Sequence, residues 1–191
     1  ILDLVAEPAR KGATYEDLLA LPAHVVGEIV GGELHVTPRP ALRHANVASI
    51  LGEELGPPLR RGRGGPGGWI ILDEPELHLA GDVLVPDLAG WRREHAGGLD
   101  LEQAYAETAP DWVCEVLSPS TARFDRVEKL KRYLAAAVRH VWLIDPLAQT
   151  LEVLEHDASG YRIIGAFAAD AKVRARPFDA IELALGALWS L

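Results

Sequence analysis

The segment Trp112-Val113-Cys114-Glu115-Val116-Leu117 is apolar at every position but one. A short, nearly unbroken apolar run bounded by polar sequence marks a strand covered on both faces, as in the interior of a sheet with layers packed above and below it. Alternation along the strand sets Val113, Glu115 and Leu117 on one face and Trp112, Cys114 and Val116 on the other. The lone carboxylate is thereby placed in apolar surroundings. An ionised group there costs several kcal/mol unless a cation, a metal or hydrogen-bond donors compensate. The plainer alternative is a strand end at which Glu115 reaches solvent, and the run alone weighs the two about evenly.

The rest of the chain supplies layers to cover that strand. Thr14 with Asp17 three positions on, followed by Leu18 and Leu19, predicts a short capped helix. Two strand-like runs, Val25–Val30 and Glu33–Val36, flank Gly31-Gly32 as a hairpin closed by Pro38 and Pro40. Val47, Ile50, Leu51 and Leu55 give helical spacing within His44–Leu59, whereas the glycine-rich stretch 60–68 cannot hold regular structure and lacks the Gly-Lys-Ser/Thr of a phosphate loop. Strands are expected at Trp69–Leu72, Leu77–Leu79, Val83–Leu88, Val141–Ile144, Leu151–Leu154 and Tyr161–Phe167. Helices are expected at Leu101–Glu107, 125–138 and near the C-terminus. This order predicts a mixed α/β (α+β) fold, one central mixed β-sheet flanked by helices with an N-terminal β-hairpin. No repeat or linker divides it, so residues 1–13 read as an arm and 14–191 as a single domain.

One further acid shares the setting of Glu115. Asp87 follows Val83-Leu84-Val85-Pro86 inside a strand-like run, and Pro86, which cannot donate to a ladder, predicts an edge or bulge that re-aims the next side chain. A turn aspartate after proline is the simpler reading of Asp87 taken alone. On the 125–138 helix, Val127, Leu130, Leu134, Ala137 and Val138 form an apolar stripe, and Asp125, Lys129 and Tyr133 a polar one. Lys131 lies nearer the apolar edge than Lys129 does. Asp125 with Glu128 resembles a capping box, and Asp125–Lys129 a surface ion pair.

Charge narrows the partners. Nineteen basic against 28 acidic side chains give a net charge of −9, which is unlike a general nucleic-acid binder. Local basic content partly answers this, with Arg123, Arg126, Lys129, Lys131 and Arg132 crowded into ten residues, Arg60, Arg61 and Arg63 in the glycine-rich loop, and Arg92-Arg93. The single cysteine, Cys114, excludes an intrachain disulfide and a thiolate zinc site. No metal-binding histidine spacing and no Gly-x-Ser-x-Gly elbow occur. No apolar run is long enough to span a membrane and no secretory signal is legible, so a cytoplasmic location is expected.

Together Val85-Pro86-Asp87, the run Glu115-Val116-Leu117-Ser118-Pro119-Ser120-Thr121, Asp125 with Lys129 and Tyr133, and Val141-Trp142-Leu143-Ile144-Asp145-Pro146 resemble the Uma family (Uma-two type). This is a bacterial group of restriction-endonuclease-like proteins in the PD-(D/E)XK nuclease superfamily. Gly27 to Leu34, with Pro38 and His44 after them, is similar to that family's opening, and the resemblance extends over about residues 14 to 189. It implies a restriction-endonuclease-like core, a DNA substrate, and Asp87 and Glu115 as ligands of a divalent metal, Mg²⁺ or alternatively Mn²⁺. Two carboxylates on neighbouring strands suit a hard cation that keeps several waters. The superfamily's lysine two residues after the glutamate is replaced here by Leu117. The resemblance moves that role to the following helix, to Lys129 with Lys131 in reserve. Its first acid is Glu28 or Glu54, Glu28 matching the family's opening better. His44, Lys131 and Tyr133 are candidates for touching substrate. A homodimer through an open hairpin edge is compatible with these features. The alternative function is a non-catalytic binding or regulatory module on the same fold.

Overall fold

The computed structural model describes residues 10–190, so most of the expected N-terminal arm lies outside the described residues. In chain order the elements are β1 (Arg10–Lys11), α1 (Tyr15–Leu19), β2 (Val25–Val30), β3 (Glu33–Pro38), α2 (Leu42–Leu55), β4 (Trp69–Asp73), β5 (Glu76–Leu79), β6 (Asp82–Leu84), β7 (Leu88–Arg92), β8 (Tyr105–Ala106) and β9 (Trp112–Val116). They continue as α3 (Ala122–Phe124), α4 (Leu130–Ala135), β10 (His140–Asp145), β11 (Thr150–Asp157), β12 (Gly160–Ala168), β13 (Lys172–Val173), β14 (Leu183–Ala184) and α5 (Gly186–Trp189). A wide turn, Asp125–Lys129, joins α3 to α4, its last bond running from Leu130 N–H to Asp125 C=O across five residues.

The strand carrying Glu115 is interior, as its apolarity requires. The first sheet has the order β12-β11-β10-β9-β7-β4; β9 and β10 are parallel and the other pairs antiparallel. The hairpin β2–β3 does not stand alone. It seeds a second six-stranded sheet, β1-β3-β2-β6-β5-β8, beside the first, and β13–β14 form a separate ribbon. The fold is therefore mixed α/β with helix-flanked mixed sheets. Trp112, Cys114 and Val116 pack with α2 (Val47, Leu51, Leu55), Trp142 and Phe178 on one side. Val113 and Leu117 pack on the other side with Leu77 and Leu84 of the second sheet and with Tyr133 and Val138. Glu115 faces this second layer.

Local signals account for most boundaries. Thr14 and Asp17 form a reciprocal capping box at α1. Gly31 and Gly32 both take positive φ, 63° and 75°, as a tight hairpin turn demands. At the other end of the chain, α5 packs against α2, and Asn46 Nδ2 donates to Ser190 C=O at 3.1 Å. No helix among the described residues is long and apolar enough to cross a membrane.

Four expectations are corrected. Val83–Leu88 is not one strand: β6 ends at Leu84 and β7 starts at Leu88 in the other sheet, because Pro86 breaks the ladder and the chain crosses between sheets there. Leu101–Glu107 is no helix; Leu101 is exposed, and Tyr105–Ala106 pair in parallel with Glu76–Leu77. The hairpin edge proposed for a second copy is occupied where β1 pairs with Glu33 and Leu34. On the helix the inward face is inverted, with Val127 exposed while Asp125, Lys129 and Tyr133 are buried. Asp125 does not cap, since the helix is started by Ser118, whose Oγ accepts from Thr121 N–H and whose carbonyl accepts from Ala122 N–H.

Candidate active site

The crossing Val85-Pro86-Asp87 brings the acids together. Glu28 points from β2 toward it, and Glu28 Oε1 accepts the Val85 N–H at 2.8 Å. Asp87, leaving the crossing, lies beside the end of β9, where its Oδ2 accepts the Val116 N–H at 2.6 Å. His44, in the first turn of α2, faces Asp87 from across the opening, Nε2 lying 2.5 Å from Oδ1, while its Nδ1 is buried with no hydrogen-bond partner among the described residues.

The helix supplies the cation. Lys129 Nζ lies 2.9 Å from Glu28 Oε1 and 2.8 Å from Glu115 Oε1, and it donates to Val85 C=O at 3.2 Å. One turn on, the Tyr133 hydroxyl donates a short hydrogen bond to the same Glu115 Oε1. Both donors converge on Oε1, so Oε2 is the Glu115 oxygen left for a ligand or a proton. Asp125, one turn before Lys129, is 5% exposed. Glu28, His44, Asp87, Glu115, Asp125 and Lys129 all line one cavity of about 340 Å³.

The electrostatics are short of positive charge. Burial raises Glu115 well above the usual carboxylate range; Lys129 opposes this, and Asp125, Asp87 and Glu28 reinforce it. Asp125 is pushed up to about 6, again by burial, with Lys129 and a hydrogen bond from Thr121 pulling the other way. Burial alone would strip Lys129 of its proton, but Glu115, Glu28 and Asp125 outweigh it and hold the ammonium charged well beyond its ordinary range. Tyr133 is raised by burial and by Glu115, so it remains a neutral donor. Burial likewise raises the Cys114 thiol, consistent with packing.

Of the residues singled out in the sequence, Glu28, His44, Asp87, Glu115, Lys129 and Tyr133 converge here, whereas Lys131 and Glu54 do not. Lys131 stands on the outer face of the helix, 61% exposed and paired with Glu128 at 3.2 Å, because the helix turns the 125/129/133 stripe inward. Glu54 borders a separate depression with Glu53, Pro57 and Arg63. Tyr133 does not line the cavity; it is completely buried and acts on Glu115 from behind. Asp125 was read in the sequence as a cap and surface ion-pair residue and not as a site residue, although its i, i+4 spacing to Lys129 carried the signal.

Comparison with known proteins adds to this geometry. A family model described as "Uma2: Putative restriction endonuclease" matches residues 14–186. The chain is similar in fold to the crystal structure of "a putative nuclease belonging to DUF820" from Anabaena variabilis ATCC 29413. The TM-score is 0.75 and the identity 21%, covering 93% of this chain and 97% of that one. No curated protein sequence matches the chain.

Proposed function

The chain belongs to the Uma2, "Putative restriction endonuclease", family, and from that premise we propose that it is a metal-dependent nuclease hydrolysing phosphodiester bonds of DNA. The observation that carries this reading is the buried Lys129 ammonium bridging Glu28 and Glu115 at 2.9 and 2.8 Å beside Asp87. The donor chemistry fits a hard divalent cation such as Mg²⁺. Five carboxylates, Glu28, Glu74, Asp87, Glu115 and Asp125, line one cavity; Arg39 pairs with Glu74, which leaves Lys129 alone among the other four, and such ions take oxygen ligands and keep several waters. Among the described residues no three metal-ligating side chains already surround one point; the family resemblance assigns two carboxylates, Asp87 and Glu115, as the protein's ligands. A bound divalent cation polarises a phosphoryl oxygen and lowers the pKa of a coordinated water.

The chain's own residues do the rest. Lys129, kept charged by its acids, is a preorganised donor for negative charge developing on phosphorus-bound oxygen. Glu28 and Val85 C=O fix that ammonium in place. Tyr133 locks the Glu115 rotamer and, with Lys129, occupies Oε1, which leaves Oε2 as the oxygen for the cation. His44 and Val116 N–H hold the two oxygens of Asp87. A module that only bound partners would have no use for so costly a cluster of buried acids.

Calorimetric titration of Mg²⁺ or Mn²⁺ into the protein and into an Asp87→Asn/Glu115→Gln double variant, each with and without DNA, tests the reading. Saturable heat lost in the variant, accompanied by cation-dependent cleavage of DNA, is expected. Identical negligible heats under both conditions would overturn it in favour of the binding module.

A further inference from the structure

We propose that the strand entering this site is unpaired: the substrate is single-stranded DNA, or an unpaired end or flap, rather than continuous duplex. This rests on the nuclease reading above and adds the form of the substrate to it.

Three observations converge. The first is depth. Glu115 is 3% exposed, Lys129 2%, and the Asp87 side chain 14%, all beneath a rim formed by Pro38–Ala41 on one side and Ser118–Phe124 on the other. Hydrolysis needs a phosphodiester against those groups. In a duplex each backbone is held against its complement, and the rim would meet the second strand first. Enzymes that cannot reach their target atom in a duplex act on unpaired nucleotides. The cavity, about 340 Å³, is of the order of one nucleotide.

The second observation is charge. Duplex DNA carries one negative charge per ~1.7 Å of axis, and proteins that bind it neutralise several phosphates with Lys and Arg. Here the net charge is −9. The basic cluster between residues 123 and 132 is largely spent on acids: Arg126 pairs with Glu152, Lys129 with Glu28 and Glu115, Lys131 with Glu128, and Arg132 with Asp82. Arg39, on the cavity rim, is itself paired with Glu74 at 3.6 Å. Arg43 and Arg123, exposed and each next to a lining residue, are left without an acid partner among the described residues, and two separate cations do not make a track for a second backbone.

The third is the wall. Pro38, Pro40, Pro119 and Phe124 give the cavity an apolar lining, and the Phe124 ring is backed by His35, with centroids 4.4 Å apart. A half-exposed aromatic ring beside a phosphate site is what single-strand binders use to stack a base. A base in duplex is already stacked and paired, and has no face to offer it.

The test uses the full chain and one sequence in three forms: a labelled single strand, the blunt duplex, and the duplex with an unpaired flap. Fluorescence anisotropy with the Glu115→Gln variant, repeated with Asp87→Asn, measures binding, and the wild type with Mg²⁺ measures cleavage. Single strand and flap should be bound and cut at least about tenfold better than blunt duplex. Phe124→Leu, which keeps the apolar bulk, should weaken single-strand binding by about tenfold. Equal or better binding and cutting of blunt duplex would overturn this proposal and leave the nuclease reading standing. Absence of cation-dependent cleavage on every form would sink the nuclease reading. The anisotropy alone then decides this proposal: preference for the single strand upholds it and indifference overturns it.

Discussion

Asp125→Asn should stabilise the protein, and only above a particular pH. The Asp125 carboxyl is pushed up to about 6 from an ordinary aspartate value of 3.8, burial outweighing the pull of Lys129 and Thr121. The folded chain therefore holds this proton more tightly than the unfolded chain does. The stabilisation this confers is complete below pH ~3.8 and is lost as pH rises through about 6. Two pKa units at ~1.4 kcal/mol each make the ionised side chain a burden of about 3 kcal/mol at pH 8. Asparagine has the shape of the protonated acid and cannot ionise, so the variant escapes that cost. Urea unfolding of both proteins in EDTA, from pH 4 to pH 8, should give unfolding free energies that agree within ~0.5 kcal/mol at pH 4 and separate by about 2–3 kcal/mol in favour of the variant at pH 8. A gap independent of pH, or a variant less stable at pH 8 than the wild type, would refute the reasoning. Either result would mean that Asp125 is not held at a cost within the cluster.

Lys129→Met removes the cation between Glu28 and Glu115 and should cost about 3–5 kcal/mol in urea unfolding at pH 8, because it strands buried carboxylates, whereas Lys131→Ala should shift stability by less than ~0.5 kcal/mol. Similar losses for the two would contradict the placement of the helix. Glu28→Gln and Glu28→Ala both delete the carboxylate, but the glutamine oxygen can still accept the Val85 N–H. The alanine variant should therefore unfold more readily by about 1–3 kcal/mol, and equal stabilities would dismiss the contact. Tyr133→Phe should lower stability by about 1.5–3 kcal/mol at pH 8, the worth of a hydrogen bond to a charged group, and a neutral effect in the same assay would deny that Tyr133 holds Glu115.

What the sequence disclosed and what it hid divide along a physical line. The interior strand, the hairpin and its glycine turn, and the capped α1 follow from local periodicity and turn chemistry, which neighbours in sequence determine. Glu115 was legible because a carboxylate in an apolar run is an anomaly that calls for a partner, whereas Asp87 alone reads as a turn aspartate and was singled out by the family resemblance. The partner was harder to find. A helical wheel assumes that the inward face is apolar, and Lys129 with Asp125 and Tyr133 breaks that assumption because their polar groups answer acids from two different sheets. Nothing within 125–138 announces those acids. The second sheet was hidden too: Pro86 signalled an edge or bulge within Val83–Leu88, but nothing local says that the chain continues into a different sheet beyond it.

That change of sheets ties the fold to the chemistry. A chain leaving one sheet for another exposes backbone groups that no ladder satisfies, and buried groups of this kind must find partners elsewhere. At the crossing, Pro86 has no N–H to satisfy. The Val85 N–H is taken by Glu28, the Val85 carbonyl by Lys129, and Asp87 Oδ2 accepts the Val116 N–H at the end of β9. The groups assigned to catalysis are thus the ones that close the joint between the two sheets. Lys129 remains buried because Glu28 and Glu115 demand it; Glu28 is held by the crossing and by Lys129, and Glu115 by Lys129 and Tyr133. The cluster is paired well enough to fold and yet retains more carboxylates than its single lysine can neutralise. That residual imbalance is the condition a divalent cation would relieve, so the metal affinity proposed for the site and the sheet crossing have a common origin in where Glu28, Asp87 and Glu115 fall along the chain.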